Sequence, residues 1–140
     1  SSYKNAMRLA REEINMAYRA ADHERWKDSD LLTGIKVEIS AAHFDRMPDG
    51  DICDELAGNY PKDFFFTGWH VQCLCHATPV LISQEDLIAR LTGEPVRIQK
   101  TEMPENFKAW LKQNKEKIEG WKSQPYFLKY NQDKIQNINN

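Results

Sequence analysis

The stretch "GWHVQCLCH" at residues 68–76 holds Cys73 and Cys75, two of the chain's three cysteines, and His70 and His76, two of its four histidines. Thiols and imidazoles this close can bind a metal, pair a nucleophile with its base, form a redox couple, or close a tight turn. Upstream, His43, Asp51 and Cys53 add further donors. Zinc takes four nitrogen or sulfur ligands in a tetrahedron and orders loop-rich regions that bury too little apolar surface to order themselves. Cys53, His70, Cys73 and Cys75, with His43 competing for one position, form a candidate zinc set. His70 and Cys73 are separated by two residues, a usual ligand spacing. Cys73-x-Cys75 is tighter, but residues two apart in an extended chain share a face.

Other chemistries must be weighed against this. Cysteines are also small buried hydrophobes, and histidines pin loops by bonding backbone carbonyls. A Cys53–Cys73 disulfide is a further reading. Cys75 with His43 and Asp51 can be drawn as a nucleophile with its base, a combination that many chains offer. The deaminase pairing of His-x-Glu with Pro-Cys-x-x-Cys is not met by His43-Phe44-Asp45 and Cys73-x-Cys75, and neither His-Glu-x-x-His nor a Gly-rich phosphate loop is present. Trp69 and the three phenylalanines at 64–66 read as core anchors.

The 140 residues suffice for one domain with a real core, and 41% hydrophobic with 29% charged residues is an ordinary globular composition. The formal charge of −2 gives no general attraction to nucleic acid. The lysines between positions 108 and 122 are interleaved with Glu105, Glu116 and Glu119, so they read as a solvated helix face, with DNA contact a weaker alternative. No apolar run approaches the length of a spanning helix, and no signal-like segment opens the chain. With an odd cysteine count, metal or thiol chemistry is favoured over a disulfide framework. The start at Ser1 without Met suggests a processed or excised piece of something longer.

Several elements must position these residues. Met7, Ala10, Ile14, Ala17 and Ala21 recur at three and four residues, which predicts a helix from Tyr3 to Trp26 with this stripe on its packed face; Arg8, Glu12, Asn15 and Arg19 follow the same spacing on another side. Ile35, Val37 and Ile39 alternate with Lys36 and Glu38 as a half-buried strand over 32–39. Residues 41–66 read as irregular, apart from a short helix in "DICDELAG" with Gly58 as its C-cap. "ATPVLI" predicts a strand within 76–82, Ser83 caps a helix near 84–92, and Pro104 opens a helix over 105–122 with Asn114 interrupting its apolar stripe. The Asn- and Gln-rich last eight or so residues read as frayed. The expected fold is α+β, a long N-terminal helix packed on a small, antiparallel sheet, with a Cys/His-rich irregular loop and C-terminal helices.

These residues also carry a resemblance. "GWHVQCLCHATPVL" resembles the Gly-Trp-His-Pro-x-Cys-Arg-Cys segment of the phage head morphogenesis family of the phage Mu F type. The helix "RLAREEINMAYRAADHERW" is similar to that family's upstream helix, with Arg11 and Glu13 at the matching places. His43, Asp51, Cys53, Asp54, Gly58, Tyr60 and Pro61 match its intervening elements. The similarity spans about residues 5–82, and "PENFKAWLKQN" with "PYFLKYN" resembles the C-terminal extension of Bacteroidetes-type members. Val71 and Leu74 depart from the family's Pro and Arg.

The resemblance implies a head morphogenesis domain over 1–92 and a helical extension over 93–140. It implies a minor head protein that works with portal and capsid proteins in host cytoplasm and virion, and a role in DNA packaging or ejection. No catalytic residue or membrane partner is expected. The rival expectation is a metal-dependent hydrolase or toxin-like enzyme domain attached to a phage structural protein.

Overall fold

A computed structural model of the chain describes residues 1–46 and 50–139. Residues 47–49, inside the stretch read as irregular, lie outside the described residues. The architecture is α+β. The elements run α1 (Ser2–Trp26), β1 (Leu32–Glu38), α2 (Ala41–Arg46), α3 (Ile52–Leu56), β2 (Gly58–Tyr60), β3 (His76–Leu81), α4 (Gln84–Leu91), α5 (Glu105–Gln113), α6 (Lys115–Glu119), α7 (Tyr126–Lys129) and α8 (Gln132–Asn139). The sheet has the order β2-β1-β3 and is antiparallel throughout, with Ile35 opposite Tyr60 on one side and Val37 opposite Ala77 on the other. β1 therefore lies in the middle, and its Ile35 and Val37 are buried while Lys36 is exposed. That is the period-two pattern of its sequence realised on a pleated strand.

Gly34 is required by close approach: a Cβ there would stand 2.6 Å from Thr101 Oγ1 and 2.7 Å from the Tyr60 carbonyl oxygen. Thr101 donates its backbone N–H to Thr33 (2.9 Å), so the connection after α4 is held against β1 without becoming a strand.

The core is aromatic. Trp69, 2% exposed, contacts the rings of Tyr60, Phe64, Phe66, Phe107 and Phe127 at centroid separations from 5.1 to 6.5 Å. Residues on both sides of position 92 share this core, because Phe107, Trp110 and Leu111 of α5 and Phe127 and Leu128 of α7 are part of the same cluster as Ile35 and Val37.

Four local expectations are corrected. The segment 41–66 contains α2, α3 and β2, and Gly58 starts β2 where a C-cap was expected; α3 ends at Ala57, whose extended ψ of 146° leads directly into the strand. The helix expected over 105–122 divides at Asn114, whose side-chain amide donates to the Trp110 carbonyl (2.8 Å) and competes with helix continuation. The tail is helical, not frayed: Ile135 and Ile138 of α8 pack against the core. Finally, Met7, Ala10, Ile14, Ala17 and Ala21 of α1 are exposed, and the half-buried side carries Glu12, Met16, Arg19, His23 and Trp26.

Asn131 anchors the tail. It is 1% exposed, accepts from the Phe65 N–H (2.8 Å) and donates to the carbonyls of Phe65 and Phe127 (2.9 Å each). Asn131→Leu removes these bonds and leaves the Phe65 backbone groups unpaired. The expected destabilisation is about 2–4 kcal/mol, measured by urea unfolding against the parent chain.

Candidate metal centre

Each donor is placed by a short element of its own. Asp51 caps α3, accepting from the Cys53 N–H (2.9 Å), while Asp54 Oδ2 accepts from the Asp51 N–H (2.7 Å). This reciprocal cap fixes Cys53 at the start of the helix with its side chain buried. His70 and Cys73 belong to a turn closed by the Cys73 N–H donating to the His70 carbonyl (3.3 Å). The turn needs two unusual backbone conformations, at Gly68 (φ 86°) and at Gln72 (φ 60°). Gly68 serves a second purpose, since a Cβ there would lie 2.6 Å from Arg19 Nη1.

α1 supplies the clamp that holds this turn. Arg19 donates to the carbonyls of Thr67 (2.8 Å) and Cys73 (3.3 Å), with its guanidinium 5.2 Å above the Phe66 ring centre. Glu12 accepts from the N–H of Gln72 (2.6 Å), which offsets part of the cost of its left-handed conformation. Sequence reasoning missed both as site residues. The signal was their shared side of the helix, seven residues apart, where polar side chains follow the same three-and-four spacing. Arg11 and Glu13, which carry the resemblance, are exposed.

Cys53 Sγ lies 3.2 Å from His70 Nε2 and 3.7 Å from Cys73 Sγ, and the donor atoms of all three residues fall within 4.8 Å of one another. Two thiolates on one tetrahedral zinc, each about 2.3 Å from it, stand about 3.8 Å apart. The Cys53–Cys73 separation therefore matches a tetrahedral edge, and the three cysteines are free thiols. Cys75 is buried close by but stands outside the group whose donor atoms converge within 4.8 Å.

The protons of this cluster are unevenly held. The neighbouring thiols of Cys53 and Cys75 hold Cys73 well below the usual thiol range. Cys53 is pushed up by its bonds to Cys73 and Cys75 and by burial. Cys75, which its contact with Cys53 alone would lower, is pushed up to about 12 by its bond to Cys73 and by burial.

His70 Nδ1 is 2.7 Å from the Val71 carbonyl, which orients the ring so that Nε2 points into the cluster. That nitrogen is 3.2 Å from Cys53 Sγ and 3.2 Å from Asp51 Oδ2. Sulfur, imidazole nitrogen and carboxylate oxygen thus converge, the donor types that zinc takes. A backbone carbonyl bound to the far ring nitrogen is also how metal-bound histidines are commonly oriented. Cys53, His70 and Cys73 can thus hold a metal ion.

His43 is placed differently. It is 3% exposed and its Nε2 lies 3.3 Å from Asp51 Oδ1 and 3.1 Å from Asp54 Oδ2. With Asp51 and Cys53 it forms a second, overlapping donor group. Asp51 therefore stands between the two histidines. Asp54 is held below the usual carboxylate range by the Asp51 N–H and by His43. His76, by contrast, is exposed and faces Glu38 at 3.4 Å. No family model, no curated protein and no solved structure matches the chain.

Proposed function

We propose that the chain is an assembly module of a phage or prophage head, a minor head protein that works with portal and capsid proteins, and that zinc staples its Cys/His loop without doing chemistry. The observation that carries this reading is the meeting of Cys53 with His70 and Cys73, 17 and 20 residues further on, with the two sulfurs a tetrahedral edge apart. In this reading Cys75, buried in the same cluster of side chains, joins Cys53, His70 and Cys73 as the fourth ligand, which closes a Cys3His set. His43 then supports the ligands from outside through Asp51. The resemblance of its ordered motifs to those of the Mu F-type family supports the assembly role, and fold alone does not assign it.

The second reading, a metal-dependent hydrolase, draws on an open groove of ≈ 640 Å³ beside His70, lined by Trp69, Val71, Trp121 and Tyr126. It requires three protein ligands and a metal-bound water next to Asp51. Coordination number, read by X-ray absorption on the zinc-loaded chain, separates the two: four protein ligands support the staple, and three with an oxygen support the enzyme.

His43→Gln tests the division of roles. The variant is expected to keep one zinc per chain with affinity reduced about 10- to 100-fold, the usual effect of losing a supporting residue. Loss of the zinc itself would make His43 a ligand. The assembly role is tested by co-purification with the portal and capsid proteins encoded in the same genome. Retention by either is the expected result, and retention by neither, with hydrolytic turnover, would overturn it.

A further inference from the structure

The outward side of α1 has no partner in the structure described above. Tyr3, Met7, Ala10, Ile14, Ala17 and Ala21 alternate at four and three residues, the spacing of a coiled-coil seam, and all are exposed, with Tyr3 at 73% and Ile14 at 55%. The side anchored to the body, through Glu12, Arg19 and Trp26, lies almost opposite on the helix wheel. Every residue of the helix before Glu12 is exposed, so its first half gains nothing from the core. Short helices without such packing are marginal in water.

The order of sizes along this seam identifies its occupant. Turning one copy of the helix end over end at the level of Glu12 places Tyr3 opposite Ala21 of the second copy, Met7 opposite Ala17 and Ala10 opposite Ile14. Every layer then joins a bulky side chain to an alanine, which is what interdigitation at native density asks for. Parallel pairing would stack Ala10 on Ala10 and Ala17 on Ala17, with gaps between the larger layers. We infer that α1 pairs antiparallel with α1 of a second copy of this chain through this seam.

The flanks refine the inference. In this register Lys4 meets Tyr18 of the second copy, a cation over an aromatic face. Arg11 meets Arg11 of the second copy, and Glu13 meets Glu13, so two like-charged rim pairs oppose the apolar layers. The 25-residue helix is about 37 Å long and about 10 Å wide, a contact of roughly 800 Å² in total and therefore a weak dimer.

Sedimentation of the 140-residue chain from about 5 to about 500 µM tests this. The average mass should rise from 16.4 kDa toward twice that value. Ile14→Glu and Ala17→Glu, both at exposed positions, should weaken association by about tenfold or more. Leu9→Glu, exposed but off the seam, should not. Salt should strengthen pairing by screening the like charges. A mixture of parent and Arg11→Glu chains should form mixed dimers in excess. A chain that stays monomeric overturns the proposal. So does a dimer indifferent to Ile14→Glu and Ala17→Glu, or one that salt dissociates, the sign of attraction to an oppositely charged partner.

Discussion

Cys73→Ser is expected to lower the melting temperature of the zinc-loaded chain by more than about 10 °C and to abolish the stabilisation that zinc gives. Cys73 is 5% exposed, and its Sγ lies 3.7 Å from Cys53 Sγ in the donor group shared with His70. A serine oxygen there is shorter in reach and a poor zinc ligand, so the site falls to an incomplete set. Zinc at a thousandfold excess over its dissociation constant stabilises the folded chain by about 4 kcal/mol, and this contribution disappears with the ligand. In metal-stripped protein the same substitution only exchanges one small buried group for a more polar one, at about 1–2 kcal/mol. The measurement is therefore a pair of calorimetric scans, with zinc and with chelator, on parent and variant. A variant that melts with the parent under both conditions would end the stapling account.

Trp69→Ala is expected to be the most damaging single change in the core. The indole contacts five other rings, including Tyr60 from the sheet side, Phe107 from α5 and Phe127 from α7. Truncating a buried tryptophan costs about 3–5 kcal/mol in lost transfer energy and residual cavity. Domains of this size hold about 5–15 kcal/mol in all, so the variant should be largely unfolded at moderate urea. Because Trp69 immediately precedes His70, the variant should also lose zinc affinity, which titration of its folded fraction would reveal. Near-parental stability would mean that the rings are not one cooperative core.

Much of the fold was legible because its strongest elements have strong periods. The helix of α1, the alternation of β1 and the Ser83 cap of α4 are written in neighbouring residues. What was not legible depends on partners distant in sequence. α1 was turned the wrong way because apolar periodicity marks Met7, Ile14 and Ala21, whereas its body-facing side is fixed by Arg19 binding the Thr67 and Cys73 carbonyls and Glu12 binding the Gln72 amide. β2 spans only Gly58–Tyr60, too short to show a period of two. Asn131 looks like part of a polar tail until the Phe65 backbone is brought to it.

The candidate site follows the same rule. Residue type and clustering identified Cys53, His70 and Cys73, and the turn geometry agrees with the spacing His70-x2-Cys73. His43 joins a second, overlapping donor group with Asp51 and Cys53, a division that sequence could not show because Asp51 and Asp54, which engage it, lie on the same short segment.

The central claim is that a metal ion sits among Cys53, His70 and Cys73 and fixes the loop. Elemental analysis of the chain purified without added metal tests it most directly. The account predicts close to one zinc per chain, lost together with a large part of thermal stability on chelation; less than about a tenth of an equivalent would contradict it.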